Sequence, residues 1–593
     1  MTSVLTALAL ATLLTANAAP AVDDVAAPAV EAVDAAAEAA DVADVAADDE
    51  ATGPGGYRDV SESMLVLMDE AVHASVQSGA LMARFGCTPL QVSLENHSSV
   101  ARSLQLSFES SEAGGRVATM ALSLAPRQRL VTHLLIPAGI QSGSVLLEGE
   151  GLNIGRQGIY LDNSGSTLGV LVLGSQKEFE LTTALARSGS SQSPLMEVRF
   201  MDPTIAPHPL AAYLGYGTVM VAAPPDKVSG EVWTALETYA AAGGNLVIAQ
   251  APRDVATRFP MDRLSNAEPL YAFGQVHVCN TTAKDCAHAL QMGSHELDGP
   301  VMPVGLAQRW ERDRQMLSNG ERPLLSSARA PVGHFLFLMV LFTAVVGPGS
   351  LLLARRKGPV AVLIAVPSVA LVTCVALVIW SVLVEGFSVH AARYSLTWLD
   401  RERSRAITVG LGAWYANLPL DSFELPATSV LIAPDDGERS GLELDWSHGL
   451  AVRSGFLPSR TYREWGEVAV VPSRARLRVR REGSDLIVQN ALGGPLMGGA
   501  VRMAGALWTL PTLAEGAEGK ATPRDERAQM DWGFPEAAGN RFPRSLLLFS
   551  DPPVDGEFVA RLSGLGPAPT ATLNVALESS GHVVRGKVDE GRP

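Results

Sequence analysis

What this chain lacks is any assembled catalytic signature. It also lacks a basic stripe interleaved with aromatics, so a nucleic-acid partner is not expected. Charge is sparse, at 18 % of residues, and acidic in balance: 62 Asp and Glu stand against 46 Lys and Arg, a formal net charge of −16. Two stretches, residues 335–354 and 359–384, hold no formal charge at all. Roughly 20 apolar residues suffice to cross a bilayer core. Both stretches are therefore expected to be transmembrane helices, and neither carries an ionisable residue of the kind that marks an ion or substrate path.

Between them stand Arg355, Arg356, Lys357 and Gly358. Three cations in a short connection are what the positive-inside bias places in a cytoplasmic loop. On that reading both large flanking regions are extracytoplasmic, and the partners are the lipid bilayer and other envelope or membrane proteins. The amino terminus fits this topology. An apolar run, Val4 to Leu14, leads to Ala16-Asn17-Ala18-Ala19, whose A-x-A spacing suits signal-peptide cleavage at Ala16 and Ala18 and makes 1–19 a signal peptide, although its n-region has no Lys or Arg. Residues 20–56 follow as an acidic, Ala- and Asp-rich disordered linker. They hold ten acidic residues and no basic one through Thr52, a composition that cannot bury enough apolar surface to fold alone.

Period-two alternation recurs in Leu90–Glu95, Ser103–Phe108, Val117–Leu124, Leu130–Leu135 and Ser144–Leu147, which predicts an antiparallel β-sandwich over 71–155. From 161 to 302 the pattern changes. Apolar strands at Leu168–Leu173, Met196–Met201, Thr218–Ala222 and Asn245–Ala249 alternate with helices at Lys177–Arg187 and Ser229–Ala242, the second ended by Gly243-Gly244. That alternation predicts a parallel sheet covered on both faces. Residues 303–334, with Trp310, are a juxtamembrane segment, and 387–593 is again β-like. Within it Arg474, Arg476, Arg478 and Arg480 alternate with Ala475, Leu477 and Val479, which puts four arginines on one face of a strand. That face is either solvated or a site for anionic lipid headgroups or an acidic partner.

The run Thr88 to Asn96 resembles the first long strand, with its closing Asn, of the immunoglobulin-like adhesion modules of bacterial surface proteins. Leu214 to Ala222, Trp233 to Tyr239 and Gly243 to Ile248 resemble a degenerate class I glutamine-amidotransferase-like domain found in uncharacterised bacterial double-pass membrane proteins. Asp485 to Leu492, with Pro495-Leu496 after it, resembles a further sandwich module of the same proteins. The resemblance implies a multidomain protein of the bacterial inner (cytoplasmic) membrane: β-sandwich, flavodoxin- or amidotransferase-like α/β domain, two transmembrane helices and a C-terminal β-rich domain. Amidotransferases need a nucleophilic Cys on a strand-to-helix elbow. No Cys directly follows Leu168–Leu173, Thr218–Ala222 or Asn245–Ala249, so no catalytic residue is assigned, no cofactor is expected and the chain is read as no enzyme.

His277, Cys279, Cys286 and His288 form the one metal-like constellation, a His-x-Cys and a Cys-x-His that could close a tetrahedral zinc site. Outside the cytoplasm the same cysteines read as a disulfide, and two free thiols are the third possibility. Cys87 reads as a small buried hydrophobe, and Cys374 falls in the second apolar stretch. Three functions follow. The first is a non-catalytic membrane-anchored docking or scaffold module. The second is an accessory subunit of an export or transport assembly, as a resemblance to gliding-motility auxiliary proteins implies. The third is a hydrolase or transferase using Asp162 or Asp202, residues that ordinarily act as turn or cap residues.

Overall fold

The computed structural model describes residues 57–590 apart from 60–63, 79–86, 112–114, 138–139, 151, 153–154, 162–168, 186–195, 260–269, 280–285, 288, 291–322, 326–331, 381–387, 421, 433–441, 526–533, 540–541, 543–550 and 573. These belong to one compact unit that begins at Gly55. Ala16, Ala18 and the acidic segment lie outside the described residues.

The first part is two packed sheets. Met64–Met68, Val72–Ser78, Cys87–Asn96 and Arg129–Pro137 pair antiparallel, and their alternation turns Val72, Ala74, Val76, Leu90, Val92 and Leu94 inward. Gly115–Leu124, Arg102–Ser110, Ser142–Gly149 and Gln157–Tyr160 form the second sheet and add Leu104, Leu106, Phe108 and Val145 to the same core. This sheet does not end there. Glu443–Asp445, from the far side of the apolar helices, pairs parallel with it through Leu444 to Ala118 and Asp445 to Thr119, and brings Leu450–Ser454 and Phe423–Leu425 with it. Trp446 secures the junction, its Nε1 donating to the Leu135 carbonyl at 2.8 Å and its backbone N to the Thr119 carbonyl at 2.8 Å.

Beside the sandwich, Met196–Met201, Val170–Leu173, Thr218–Val221, Asn245–Ile248 and Gly274–Val278 lie in that spatial order, all parallel, with Tyr57–Asp59 added at one edge. Successive side chains face opposite sides. Leu171, Leu173, Val219 and Val221 join the core shared with the helix Gly230–Ala241. Val170, Val172, Met220 and Val247 face Phe179 of the helix Gln176–Thr183. Each helix starts on a serine cap: Ser229 accepts from the Val232 N–H, and Ser175 and Glu178 cap one another's backbone. The long helix ends where Gly243 takes φ +118, and a Cβ on Gly244 would stand 2.2 Å from the Tyr239 ring. The Gly-Gly pair thus permits both the reversal and close packing.

The C-terminal part is a twelve-stranded sheet whose long members are Val389–Asp400, Arg405–Ala416, Thr461–Pro472 and Val575–Lys587. Val389–Asp400, the first strand after the helices, pairs parallel with Val575–Lys587 near the end of the sequence.

Three expectations need correction here. The fold class, an α/β domain and two transmembrane helices set among β modules, does not describe the chain as a whole: strands predominate over few helices, the parallel sheet is one part of a single β-rich body, and one sheet is built from both sides of the helical segment. The two-span localisation, with both flanks extracytoplasmic, is likewise overturned. Among the described residues only Met339–Lys357 is long and apolar enough to cross a membrane, and the apolar stretch Pro359–Val375 is shorter. Finally, Arg355, Arg356 and Lys357 are not a loop. They occupy the last turn of the helix Ser350–Lys357, where cations offset the unpaired C-terminal carbonyls, and Gly358 alone, at φ +85, makes the turn to Pro359. Counting uncharged residues missed this because a helix does not stop where charge begins. Upstream, Val345–Gly349 widens into a π-turn around Pro348, whose ring and missing N–H a regular turn cannot accommodate.

Two asparagines repeat one device in the two sandwich-like regions. Asn96 ends its strand with Nδ2 donating to the Val100, Leu124 and Ala125 carbonyls at 2.9, 3.4 and 2.9 Å, while Oδ1 accepts from the Ser98 N–H. Asn490 donates to the Gly494, Leu513 and Ala514 carbonyls at 2.9, 3.3 and 3.2 Å and accepts from the Leu492 N–H. Both are buried. Replacing either by Ala strands three carbonyls, and we expect a loss of about 3 kcal/mol from each, read by urea unfolding of the full chain. The two losses should add, since the sites share no partner.

Candidate functional site

A dense charged cluster lies where the parallel sheet meets the C-terminal sheet. Glu237 sits on the helix Gly230–Ala241, and Asp400, Arg403 and Arg405 sit on the turn joining Val389–Asp400 to Arg405–Ala416. Glu237 Oε1 accepts from Arg403 at 2.9 Å, Arg405 at 2.8 Å and the Tyr271 hydroxyl at 3.0 Å. Asp400 holds the other edge of Arg405 at 3.0 Å. Arg403 also donates to the Thr257 carbonyl at 2.6 Å and to the Arg258 carbonyl. Two guanidinium groups thus fasten the C-terminal sheet to a helix, a strand and a turn of the parallel-sheet region.

The electrostatics of this cluster favour holding over proton transfer. Burial pushes the Tyr271 hydroxyl up; Arg405 and Arg403 pull against that, Glu237 adds to it, and the phenol stays neutral. Burial works against the Arg405 charge, but Tyr271, Glu237 and Asp400 together outweigh it and raise its pKa. A cleft beside the cluster, lined by Tyr271, Trp398, Asp400, Glu402, Glu557 and Lys587, encloses ≈ 50 Å³. Ligand pockets run to hundreds of Å³, so this one has room for a few waters and not for a substrate.

A second polar cluster lies inside the C-terminal sheet. Glu467 accepts from both the backbone N–H and the hydroxyl of Thr570 and faces Arg393 at 3.7 Å, and Arg393 stacks over Trp414 at 5.6 Å. Arg585 pairs with Glu557 at 3.0 Å. Ser395 Oγ lies 2.8 Å from His582 Nδ1, and His582 Nε2 lies 3.0 Å from the Gly564 carbonyl. A carbonyl only accepts, so Nε2 carries the hydrogen and Nδ1 takes the serine hydroxyl. This is the pairing a serine nucleophile uses, yet both side chains are 2 % exposed, so a substrate cannot reach them.

The sites expected from sequence are scattered. Cys279 and Cys286 are joined by a disulfide, with Cα atoms 5.4 Å apart, at the end of Gly274–Val278. Their sulfurs are therefore not available to zinc; His277 is 3.2 Å from the Gln275 side-chain oxygen, and His288 lies outside the described residues. No cluster of three or more His, Cys, Asp or Glu suited to a metal occurs among the described residues. Asp202 caps a short turn, accepting from the Thr204 N–H at 2.9 Å, while Asp162 and Trp310 lie outside the described residues. The arginine strand Arg476–Glu482 buries Leu477 and Val479 and pairs its outward cations: Arg480 with Glu518 at 3.0 Å, Arg476 and Arg478 with Asp589 at 3.6 and 3.8 Å.

Sequence reasoning missed Glu237, Tyr271, Arg403 and Arg405. The available signal was a Glu on an otherwise apolar helix face and a run of three arginines, 401, 403 and 405, at a hairpin turn. Neither has a local reason to be there.

Truncating Glu237 leaves two partly buried guanidinium groups facing one another. We expect Glu237→Ala to cost about 3–5 kcal/mol, measured by chemical denaturation. A pH profile should show a second effect. Burial lowers His582 and His133 to about 4 from an ordinary 6.5. Depressed native values mean the unfolded chain binds more protons between pH 6.5 and 4. Each neutral histidine therefore contributes stability that is present above pH 6.5, on the order of 3 kcal/mol, and is lost as pH falls through 4. Thermal melts should drop across that window, and the drop should shrink in His582→Asn.

No family model matches the chain, and no curated protein is similar to it. Among solved structures it is similar to the exo-chitosanase of Amycolatopsis orientalis, at 10 % identity over 32 % of this chain and 22 % of that one, with a TM-score of 0.11. A likeness that slight carries no argument about fold or function.

Proposed function

We propose that the chain is a non-catalytic docking or scaffold protein held at a lipid bilayer by the apolar helical stretch Met339–Lys357. The observation that carries this reading is where its reactive-looking groups have gone. The serine–histidine pair is sealed in a core, and the carboxylates and guanidinium groups of the clasp neutralise one another across two regions of the body. Such arrangements fix surfaces relative to one another and commit these charges to holding the fold. Meanwhile the helices present Phe337, Val340, Leu351, Leu363 and Ile364 more than half exposed, which water alone does not favour. Hydrocarbon laid against these side chains leaves the β-rich body to meet other proteins.

Cross-linking of the full chain in gently solubilised membranes, followed by mass spectrometry, tests this. Cross-links to partners should fall on the β-rich body, and Asp202→Asn and Ser395→Ala should leave them unchanged. A permease or ATPase recovered in fixed ratio and cross-linked to the helices would replace this reading with that of a transport accessory.

A further inference from the structure

Resting on the bilayer reading, we propose that the turn Arg355-Arg356-Lys357-Gly358 is a binding site for the phosphate of anionic lipid headgroups.

All three cations are exposed and stand in consecutive positions of one helical turn, so they fan around the end of the helix. The sequence from Val332 to Trp380 contains no Asp or Glu, so the helices supply no carboxylate to neutralise them. No ion pair among the described residues engages them either. They differ in this from Arg476, Arg478 and Arg480, which have acidic partners on neighbouring strands.

The apolar surface begins at once on both sides of the turn. Leu351 and Leu352 precede it, at 66 % and 61 % exposure, and Val360, Leu363 and Ile364 follow it, at 71 %, 77 % and 66 %. At 1.5 Å per residue, Leu351 and Lys357 are ~9 Å apart along the axis. Gly358, at φ +85, reverses the chain in one residue, so no polar linker separates the charges from the next apolar helix. An occupant must therefore offer hydrocarbon and anionic oxygen within about one nanometre. The headgroup boundary of a phospholipid layer does so. A free phosphate supplies the anion without the hydrocarbon and cannot cover the leucines.

Flotation of the detergent-purified full chain, with phosphatidylcholine vesicles and with mixed phosphatidylcholine–phosphatidylglycerol vesicles, tests the site. Three cations at about fivefold each give an expected preference for the anionic vesicles of roughly 100-fold at low salt. It should shrink as salt is added. In Arg355→Gln/Arg356→Gln/Lys357→Gln the preference should vanish while binding to neutral vesicles stays. An unaltered circular dichroism spectrum would show that the exposed substitutions left the fold intact. Retention of the preference by the triple variant would overturn the proposal. So would competition by inorganic phosphate beyond that of chloride at equal ionic strength, which would point to free phosphate as the ligand. Failure to float with either vesicle would overturn the bilayer reading itself.

Discussion

The structure depends on the return of the chain to its own first half after the apolar helices. Glu443–Asp445 extends a sheet begun before residue 125, and Trp446 hydrogen-bonds to a carbonyl in one sheet of that sandwich and a backbone carbonyl in the other. Non-local pairing of this kind closes a loop of more than three hundred residues, and the loop entropy must be recovered by contacts formed together. The clasp of Glu237 with Arg403 and Arg405 serves the same end by another means. The helices are consequently an excursion from one body rather than a spacer between independent modules.

Ions are distributed by depth. Deep ones are paired and hydrogen-bonded, as Arg585 is with Glu557 and Arg393 with Glu467, because an uncompensated charge in the interior is far more costly than the pair is worth. Surface ones form looser pairs along the arginine strand, where each contributes little. The three cations beside Gly358 belong to neither group. Their neighbours are apolar side chains, and a charge so placed is satisfied by something outside the chain.

Where local pattern decides structure, the residues could be read directly. The alternation in Leu90–Glu95 lies within the ten-residue strand Cys87–Asn96, and Gly243-Gly244 ends a helix where a positive φ is needed. The closing Asn of two strands, visible as a sequence resemblance, has its cause in six carbonyls, two from the turns that follow the strand ends and four from turns more than twenty residues on. The two-span reading failed where the pattern was composition alone. Absence of charge does not locate helix ends, and the described helices include one candidate span where two were expected.

The sequence by itself determined the strand periodicities, the helix caps and stops and the apolar character of the central helices, because each depends on residues within a few positions of one another. Only the tertiary structure decided that the two flanks share a sheet, that Glu237 meets Arg403 and Arg405, and that Ser395 and His582 are buried. Those contacts join residues more than 160 positions apart, and no local rule of propensity or period reaches that far.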